Sequence, residues 1–268
     1  MKKIGIIQYE NGDSQRLAAL LAERLRAAGY EPLPDRVDGA ELVVCIGGDG
    51  SFLHTLRRFD FPDVPFAGFN TGHLGFFQEL GEEDIDYFIK KYESGDYTSQ
   101  AYRTVEAVIE HEGGSLPVRG LNEIVVRGSG ARLCHLKITI GDSFIENFSG
   151  DGVVVSTPAG STAYNYALGG SIVDPRLSLL QLSPIAPVNS AAYRSFTSGI
   201  LLPPDLGVGL YPVSDMRNRD RETFVSVDGE TLPLQGIHSV SVILSEKAVT
   251  LLRFKDYSFW NTVKEKLL

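Results

Sequence analysis

Glu41-Leu-Val-Val-Cys-Ile46-Gly47-Gly48-Asp49-Gly50-Ser51-Phe52-Leu53-His54 runs from an apolar strand through a glycine loop into what reads as the first turn of a helix. Glycines let a backbone turn tightly and bring its N–H groups close to an anion, and a helix N-terminus adds the positive end of a dipole. An acid in such a loop is a poor phosphate ligand. It is a sensible proton acceptor, or a metal anchor, beside a phosphate held by its neighbours, which is the arrangement that phosphoryl transfer needs.

The flanking sequence alternates strand and helix. Lys3 to Gln8 reads as a first strand, and Ser14 to Ala28 carries Leu17, Leu20, Leu21, Leu25 and Ala28 at helical spacing, with Asp13 as N-cap and Gly29 as stop. Val64 to Phe69 is another apolar strand, and it too ends in a glycine-rich segment, Asn70-Thr-Gly-His-Leu-Gly75. Two such loops on successive parallel strands imply one carboxyl edge, where open α/β sheets bind ligands. Glu82 to Tyr92 reads as a helix opened by acids.

Beyond Tyr97 the texture becomes β-rich. Runs at 105–110, 123–127, 133–140, 143–148, 152–156, 206–212, 223–227, 240–245 and 249–254 read as strands. Gly141-Asp142 and Asp228-Gly229 stand where tight hairpin turns belong, with Glu246-Lys247 as a third. Ser161 to Leu168 is the helical piece here, and Lys255 to Leu268 reads as an amphipathic helix with Phe259, Trp260, Val263 and Leu267 on its docking face. The expected fold is an α/β N-terminal domain with a parallel Rossmann-like sheet (1–98), then a β-rich, sandwich-like domain (99–254), then that helix (255–268) packing back on the body.

Charge and cysteines narrow the class. A net charge of -9 over 268 residues argues against a nucleic-acid surface, which relies on clustered Lys and Arg. After Met1-Lys-Lys-Ile-Gly-Ile-Ile the chain turns polar, which fits neither a signal peptide nor a membrane span. The two cysteines, Cys45 and Cys134, sit in apolar strands without metal-ligand spacing, so a reducing, cytoplasmic location is expected.

Each motif also has a plainer reading. Gly47-Gly48-Asp49-Gly50 alone is a common turn composition, and Asn122-Glu123 is by itself a solvated strand end. His54 and His73 could face a site or be ordinary, partly exposed histidines. The segment from Gly150-Asp151-Gly152 through Ser156-Thr157-Pro158-Ala159-Gly160-Ser161-Thr162-Ala163-Tyr164-Asn165 is harder to explain as a turn. It joins a glycine-flanked acid, a buried-type strand, a Pro-Ala-Gly break and a helix start with two hydroxyls.

Taken in order, Gly47-Gly48-Asp49-Gly50, Thr71-Gly72-His73-Leu74-Gly75-Phe76, Leu121-Asn122-Glu123, Gly150-Asp151-Gly152, Ser156 to Tyr164 and Val227-Asp228-Gly229 closely resemble the NAD kinase family across nearly the whole chain. The first motif is shared with diacylglycerol and sphingosine kinases and with 6-phosphofructokinases. Asn-Glu and the Thr-Pro-x-Gly-x-Thr-Ala-Tyr segment together are specific to NAD kinases. The resemblance implies ATP-dependent phosphorylation of the 2′-hydroxyl of the adenosine ribose of NAD.

By the same resemblance, Asp49 matches the catalytic acid, and Gly47, Gly48 and Gly50 would lend N–H groups to the phosphates. Magnesium would arrive with ATP, since no metal cage is visible in the sequence. Asn122 and Glu123 fall at the adenosine end of NAD, with Thr162, Ala163, Tyr164, Asn165, Tyr166 and Ala167 closing over adenine and ribose. Phe76, Asp151, Ala159, Ala186 and Tyr193 match positions lining the dinucleotide site, and His54 is a further binding candidate. Two positions depart from the family: Ser149 stands where many relatives carry a basic residue, and Tyr166-Ala167 replaces a common Lys-Ser pair. A homodimer or homotetramer is implied. The alternatives are a lipid kinase of the diacylglycerol kinase type, disfavoured by the lack of an apolar or basic membrane surface, and a non-catalytic dinucleotide-binding protein.

Overall fold

The computed structural model describes residues 1–9, 12–72, 74–129, 133–190, 194–213 and 223–268. The chain forms two compact units, Met1–Tyr102 with Val249–Leu268, and Arg103–Ala248.

The first unit is built on β1 (Lys3–Gln8), α1 (Gly12–Ala27), β2 (Glu31–Pro34), β3 (Leu42–Ile46), α2 (Asp49–Arg58), β4 (Phe66–Phe69) and α3 (Ile85–Ser94). The strands run parallel in the order β2-β1-β3-β4, with Ile4 beside Leu42 and Val43 beside Phe66. β3 is buried along its whole length, as expected of a parallel strand covered on both faces. Its alternate residues Leu42, Val44 and Ile46 enter a core with Leu17, Leu21 and Leu25 of α1 and Phe88 of α3. Cys45 points the other way, where its thiol bonds Thr55 of α2 and burial pushes its pKa up to about 12. Helices therefore cover both faces of this sheet.

The second unit is a β-sandwich. Its strands are β5 (Thr98–His111), β6 (Gly114–Gly120), β7 (Glu123–Gly128), β8 (Cys134–Ile140), β9 (Ser143–Gly150), β10 (Gly152–Ser156), β11 (Leu180–Ile185), β12 (Ile200–Leu202), β13 (Val208–Pro212), β14 (Thr223–Val227), β15 (Glu230–Thr231) and β16 (Ser239–Arg253). One sheet has the order β12-β11-β10-β7-β14-β15, antiparallel throughout. Opposite it, β13 pairs antiparallel with β16 and β8, β8 with β9, and β5 with β6. Inward residues of both sheets, among them Ile124, Val126, Val153 and Val155 against Leu136, Ile138, Leu210 and Val240, form one core.

The last residues of β16 belong to the first unit, where Leu251 lies parallel to Phe66 of β4. A short helix, α4 (Tyr164–Ala167), follows the 3₁₀ turn Ala159–Thr162, and α5 (Phe259–Leu267) ends the chain. The fold is thus the expected α/β domain with a parallel sheet followed by a β-rich domain.

Local differences have local causes. Helix α2 starts at Asp49 rather than Ser51, because the Gly48 carbonyl already accepts the Ser51 and Phe52 N–H groups. No hairpin forms at Glu246-Lys247: β16 runs straight through, its carbonyls at Ser245 and Lys247 taken by the Arg103 and Thr104 side chains. β11 was not expected, because its polar residues Gln181 and Ser183 look solvent-facing. They are buried and bond Ser171 and Asn165 instead. The C-terminal helix begins at Phe259 after the N-cap Ser258, and Trp260 lies outside its buried face.

Leu21 is fully buried in the α1 core. Leu21→Ala is expected to lower unfolding free energy by about 2–5 kcal/mol in chemical denaturation, while Leu20→Ala, half-buried at the rim, costs well under half of that.

Candidate active site

In the first unit the site is organised around Asp49. As the first residue of α2 it is half-buried, and its carboxylate accepts the backbone N–H groups of Phe76 (3.1 Å, Oδ2) and Phe77 (3.0 Å, Oδ1). The loop after β4 therefore folds back over the helix start. Gln78 Nε2 donates to the Gly48 carbonyl at 2.8 Å, and Leu80 exchanges hydrogen bonds with Gly68 and Asn70 beside β4. Gly75 is required there for space, since a Cβ would stand 2.5 Å from Asp49 Oδ1. Lys266 of α5 closes the other side, donating to the Leu74 carbonyl at 2.7 Å with its Nζ 3.5 Å from Asp49 Oδ2.

A buried polar network behind the loop fixes it in place. Arg253 Nη2 donates to the Phe76 carbonyl (2.8 Å) and the Tyr102 hydroxyl (2.7 Å), and its Nε donates to Gln100 Oε1 (3.0 Å). Its guanidinium lies 3.5 Å over the Tyr257 ring. Glu79 Oε1 accepts the Phe254 N–H at 2.6 Å, and Glu79 Oε2 lies 3.8 Å from Arg253 Nη1. Burial raises the pKa of Glu79 despite these contacts. Sequence reading missed Arg253, Glu79 and Lys266, because no local pattern marks a contact made nearly two hundred residues away.

In the second unit Asn122 and Glu123 open β7 and are both buried. Their backbone is held by Asp228, whose Oδ1 accepts the N–H groups of Asn122 (2.7 Å) and Glu123 (3.1 Å) and whose Oδ2 accepts that of Leu121 (2.8 Å). Asp228 and Gly229 do form a hairpin turn, both with positive φ, but the aspartate side chain also positions Asn122-Glu123. Asn122 Oδ1 and Glu123 Oε2 are buried with no hydrogen-bond partner. Orphaned buried acceptors are costly, and they mark a place where a ligand completes the bonding. Desolvation, with the negative charge of Asp228 as the smaller cause, pushes the Glu123 carboxyl up to about 8.

The segment 157–168 packs onto the same strands. Thr157 Oγ1 donates to the Leu121 carbonyl (2.7 Å) and the Thr157 N–H to the Asn122 carbonyl, and a side chain at Gly160 would collide with that carbonyl. Asn165 is buried, its Oδ1 accepting from Ser183 Oγ at 2.6 Å, so this side chain is committed to the fold. Thr162, Ala163 and Tyr166 are half-buried, while Tyr164 and Ala167 are exposed. Ala159 is half-buried, Asp151 is exposed, and Ala186 is exposed with a positive φ of 42°. Ser149, one of the two departures, is buried and bonds His135 Nδ1 (2.8 Å) and Ser195, a pocket that suits a small hydroxyl.

Of the remaining candidates, Phe76 is half-buried in the first unit, its ring 5.9 Å from Phe259 and 5.5 Å from Lys266 Nζ. His54, five residues beyond Asp49, leaves α2 on another face and is exposed, lining a cavity of about 1240 Å³ with Gln8, Tyr9, Gln15, Ser51 and Arg58. Gly47 turns with φ 143°, Gly48 caps α2 and Gly50 lies in its first turn. Tyr193 and His73 fall outside the described residues. Among the described residues no group of three or more His, Cys, Asp or Glu side chains is placed to hold a metal ion, and no helix is long and apolar enough to cross a membrane.

Both halves of the chain match known families: residues 25–97 the ATP-NAD kinase N-terminal domain, and residues 121–253 the ATP-NAD kinase C-terminal domain. The NAD kinase of Finegoldia magna is 34% identical over 269 residues, covering 100% of this chain and 98% of that protein. NAD kinase 2 of Halalkalibacterium halodurans is 34% identical over 261 residues, covering 97% and 96%. Among solved structures, yeast NADH kinase complexed with NADH superposes with a TM-score of 0.87 at 19% identity, covering 100% of this chain and 87% of that one. An Archaeoglobus fulgidus NAD kinase in complex with ATP gives 0.77 at 21%, covering 98% of each, and both structures share the fold. An α/β unit with an acid at a glycine loop, joined to a β-sandwich, is the architecture of a kinase of the ATP-NAD class. The chain belongs to the NAD kinase family.

Two expectations follow from the Asn122-Glu123 corner. An amide at 228 would set an NH₂ group against a backbone donor, so Asp228→Asn is expected to cost about 1.5–3 kcal/mol in chemical denaturation. The folded state holds the Glu123 proton up to about pH 8, whereas the unfolded chain releases it near pH 4.3, so between these values folding binds the extra proton and stability falls as pH rises. Relative to the parent, Glu123→Gln is expected to gain unfolding free energy at pH 9 and little at pH 4.

Proposed function

We propose that this protein transfers the γ-phosphoryl group of ATP to the 2′-hydroxyl of the adenosine ribose of NAD, giving NADP and ADP. The observation that carries this reading is the match to the NAD kinase family along the whole chain, with Asp49 set at the glycine loop. Neither the lipid-kinase nor the non-catalytic alternative finds support in these likenesses.

Asp49 acts as the general base. A carboxylate offers about four lone-pair positions, and two are taken by the Phe76 and Phe77 N–H groups, which fix the carboxylate plane while leaving acceptor capacity for a hydroxyl proton. As the ribose oxygen bonds to the γ-phosphorus, its proton passes to Asp49 and the bond from phosphorus to the ADP oxygen breaks. A positioned base contributes about 10²- to 10⁴-fold. Backbone N–H groups around Gly47, Gly48 and Gly50 lie where donor phosphates would be held, since the first N–H groups of a helix have no partner within it.

A divalent cation, magnesium by preference, would neutralise charge on the donor phosphates when bound. The residues fit a cation carried by ATP and water, with Asp49 as a single carboxylate beside it, rather than a protein-built cage. Asn122 and Glu123 bind the adenosine of NAD, and their orphaned oxygens are the acceptors that such a ligand would satisfy. Thr162 to Ala167 line the adenine and ribose, and Phe76, Asp151, Ala159, Ala186 and Tyr193 line the remainder. The working form is a cytoplasmic homodimer or homotetramer.

Incubation with ATP, magnesium and NAD should yield NADP, with NADH and diacylglycerol as competing acceptors. Absence of NADP with every donor tried, polyphosphate included, would sink the reading. Asp49→Asn is expected to cut the rate of NADP formation about 10²- to 10⁴-fold while NAD still binds, as measured by calorimetry. Near-native turnover in that variant would remove Asp49 from the role of base.

A further inference from the structure

We propose that Lys266, on α5, is the cation that binds the γ-phosphate of the nucleotide donor; the proposal rests on the reading of Asp49 as the base at which the phosphoryl group is transferred. Neither 47–52 nor 70–78 contains a lysine or arginine, although the donor brings several negative charges into a chain of net charge -9. Phosphoryl transfer is catalysed largely by positioning and by charge stabilisation on the γ-phosphate oxygens. Within the first unit, Lys266 supplies a charge at that place.

Its position is set by the helix. Phe259, Thr262 and Val263 are the buried residues of α5, and Lys266 follows at the next step of the same stripe, so its stem lies along the docking face. The Nζ atom is anchored to the Leu74 carbonyl at 2.7 Å and lies 5.5 Å from the centre of the Phe76 ring. It stands 3.5 Å from Asp49 Oδ2, with the two side chains 30% and 28% exposed, so solvent and ligand reach both. A hydroxyl hydrogen-bonded to Asp49 would place the phosphorus it attacks about 3–3.5 Å further on. A lysine ammonium on a flexible stem spans that distance, and with one N–H on Leu74 it keeps two donors for phosphate oxygens.

A half-exposed ion pair of this kind contributes little to folding, about 0–1 kcal/mol, so stability alone gives it no clear reason to be there. If it served only to brace the Leu74 loop, its loss would disturb all nucleotides alike. A γ-phosphate contact instead separates ATP from ADP.

The test is calorimetric binding of ATP and of ADP, each with magnesium and without NAD, to the parent protein, Lys266→Met and Lys266→Arg, alongside steady-state NADP formation and thermal melting. Lys266→Met keeps most of the apolar stem and is expected to melt within a few degrees of the parent. Its ATP affinity should fall about tenfold to a hundredfold, the worth of one charge-assisted hydrogen bond, while its ADP affinity stays within about twofold. Its kcat should fall with little change in KM for NAD, and Lys266→Arg should recover part of the preference for ATP. Equal losses for ATP and ADP, or none, would overturn the proposal, as would NADP formation in Lys266→Met within about twofold of the parent. Because the binding arm needs no acceptor, a parent that forms no NADP but shows the Lys266-dependent ATP preference would overturn the acceptor reading and leave this assignment standing.

Discussion

The first unit depends on one carboxylate that meets two backbone N–H groups. Asp49 starts α2 and accepts from Phe76 and Phe77, so the loop after β4 lies across the helix start instead of extending into solvent. Close approach on both sides of the loop follows from this. Gly68 leaves room for the Phe77 carbonyl and Gly75 for Asp49 itself, and Gln78 ties the loop to Gly48. An acid held in this way keeps one orientation, and catalysis by a general base requires the same of it.

The loop needs support from behind, because its own residues make few apolar contacts that would hold it. Arg253 provides this at the end of β16, spending its donors on Phe76, Tyr102 and Gln100 and stacking on Tyr257. The pairing with Glu79 is less complete. Arg253 Nη1 and Glu79 Oε2 are 3.8 Å apart, and neither has a hydrogen-bond partner. A buried pair with loose geometry does not recover the full cost of desolvating two charges, and the raised pKa of Glu79 reflects that deficit. The network is better understood as fixing the loop in one conformation than as a net source of stability.

Much of this was legible in the sequence because it is local. The run 42–46 had to be a covered strand, the glycines after it had to turn, and the alternation of β-rich runs beyond Tyr97 had to make a sandwich. Local pattern failed where a side chain's partner is distant in the chain. Gln181 and Ser183 looked like solvent-facing strand residues and are buried under the 159–170 segment. Asp228 looked like a turn residue and is one, yet its carboxylate organises residues more than a hundred positions away. Trp260, counted on the docking face of α5 for its size, is half exposed, while Lys266 sits on that face.

Three acids in this chain show how surroundings rather than residue type decide what a carboxyl can do. Asp228 is buried but surrounded by three N–H donors, so it serves as a fixed anionic staple. Asp49 has two donors and an open side, so it is held in place yet still able to accept. Glu123 is buried beside Asp228, with Oε2 unpartnered, and its carboxyl is pushed up to about 8. Near neutral pH it is therefore mostly protonated and carries an O–H, so it can donate as well as accept. A neutral carboxyl next to the orphaned Asn122 oxygen suits an uncharged, hydrogen-bonding group such as a nucleoside, and has no electrostatic quarrel with the phosphates that such a ligand carries.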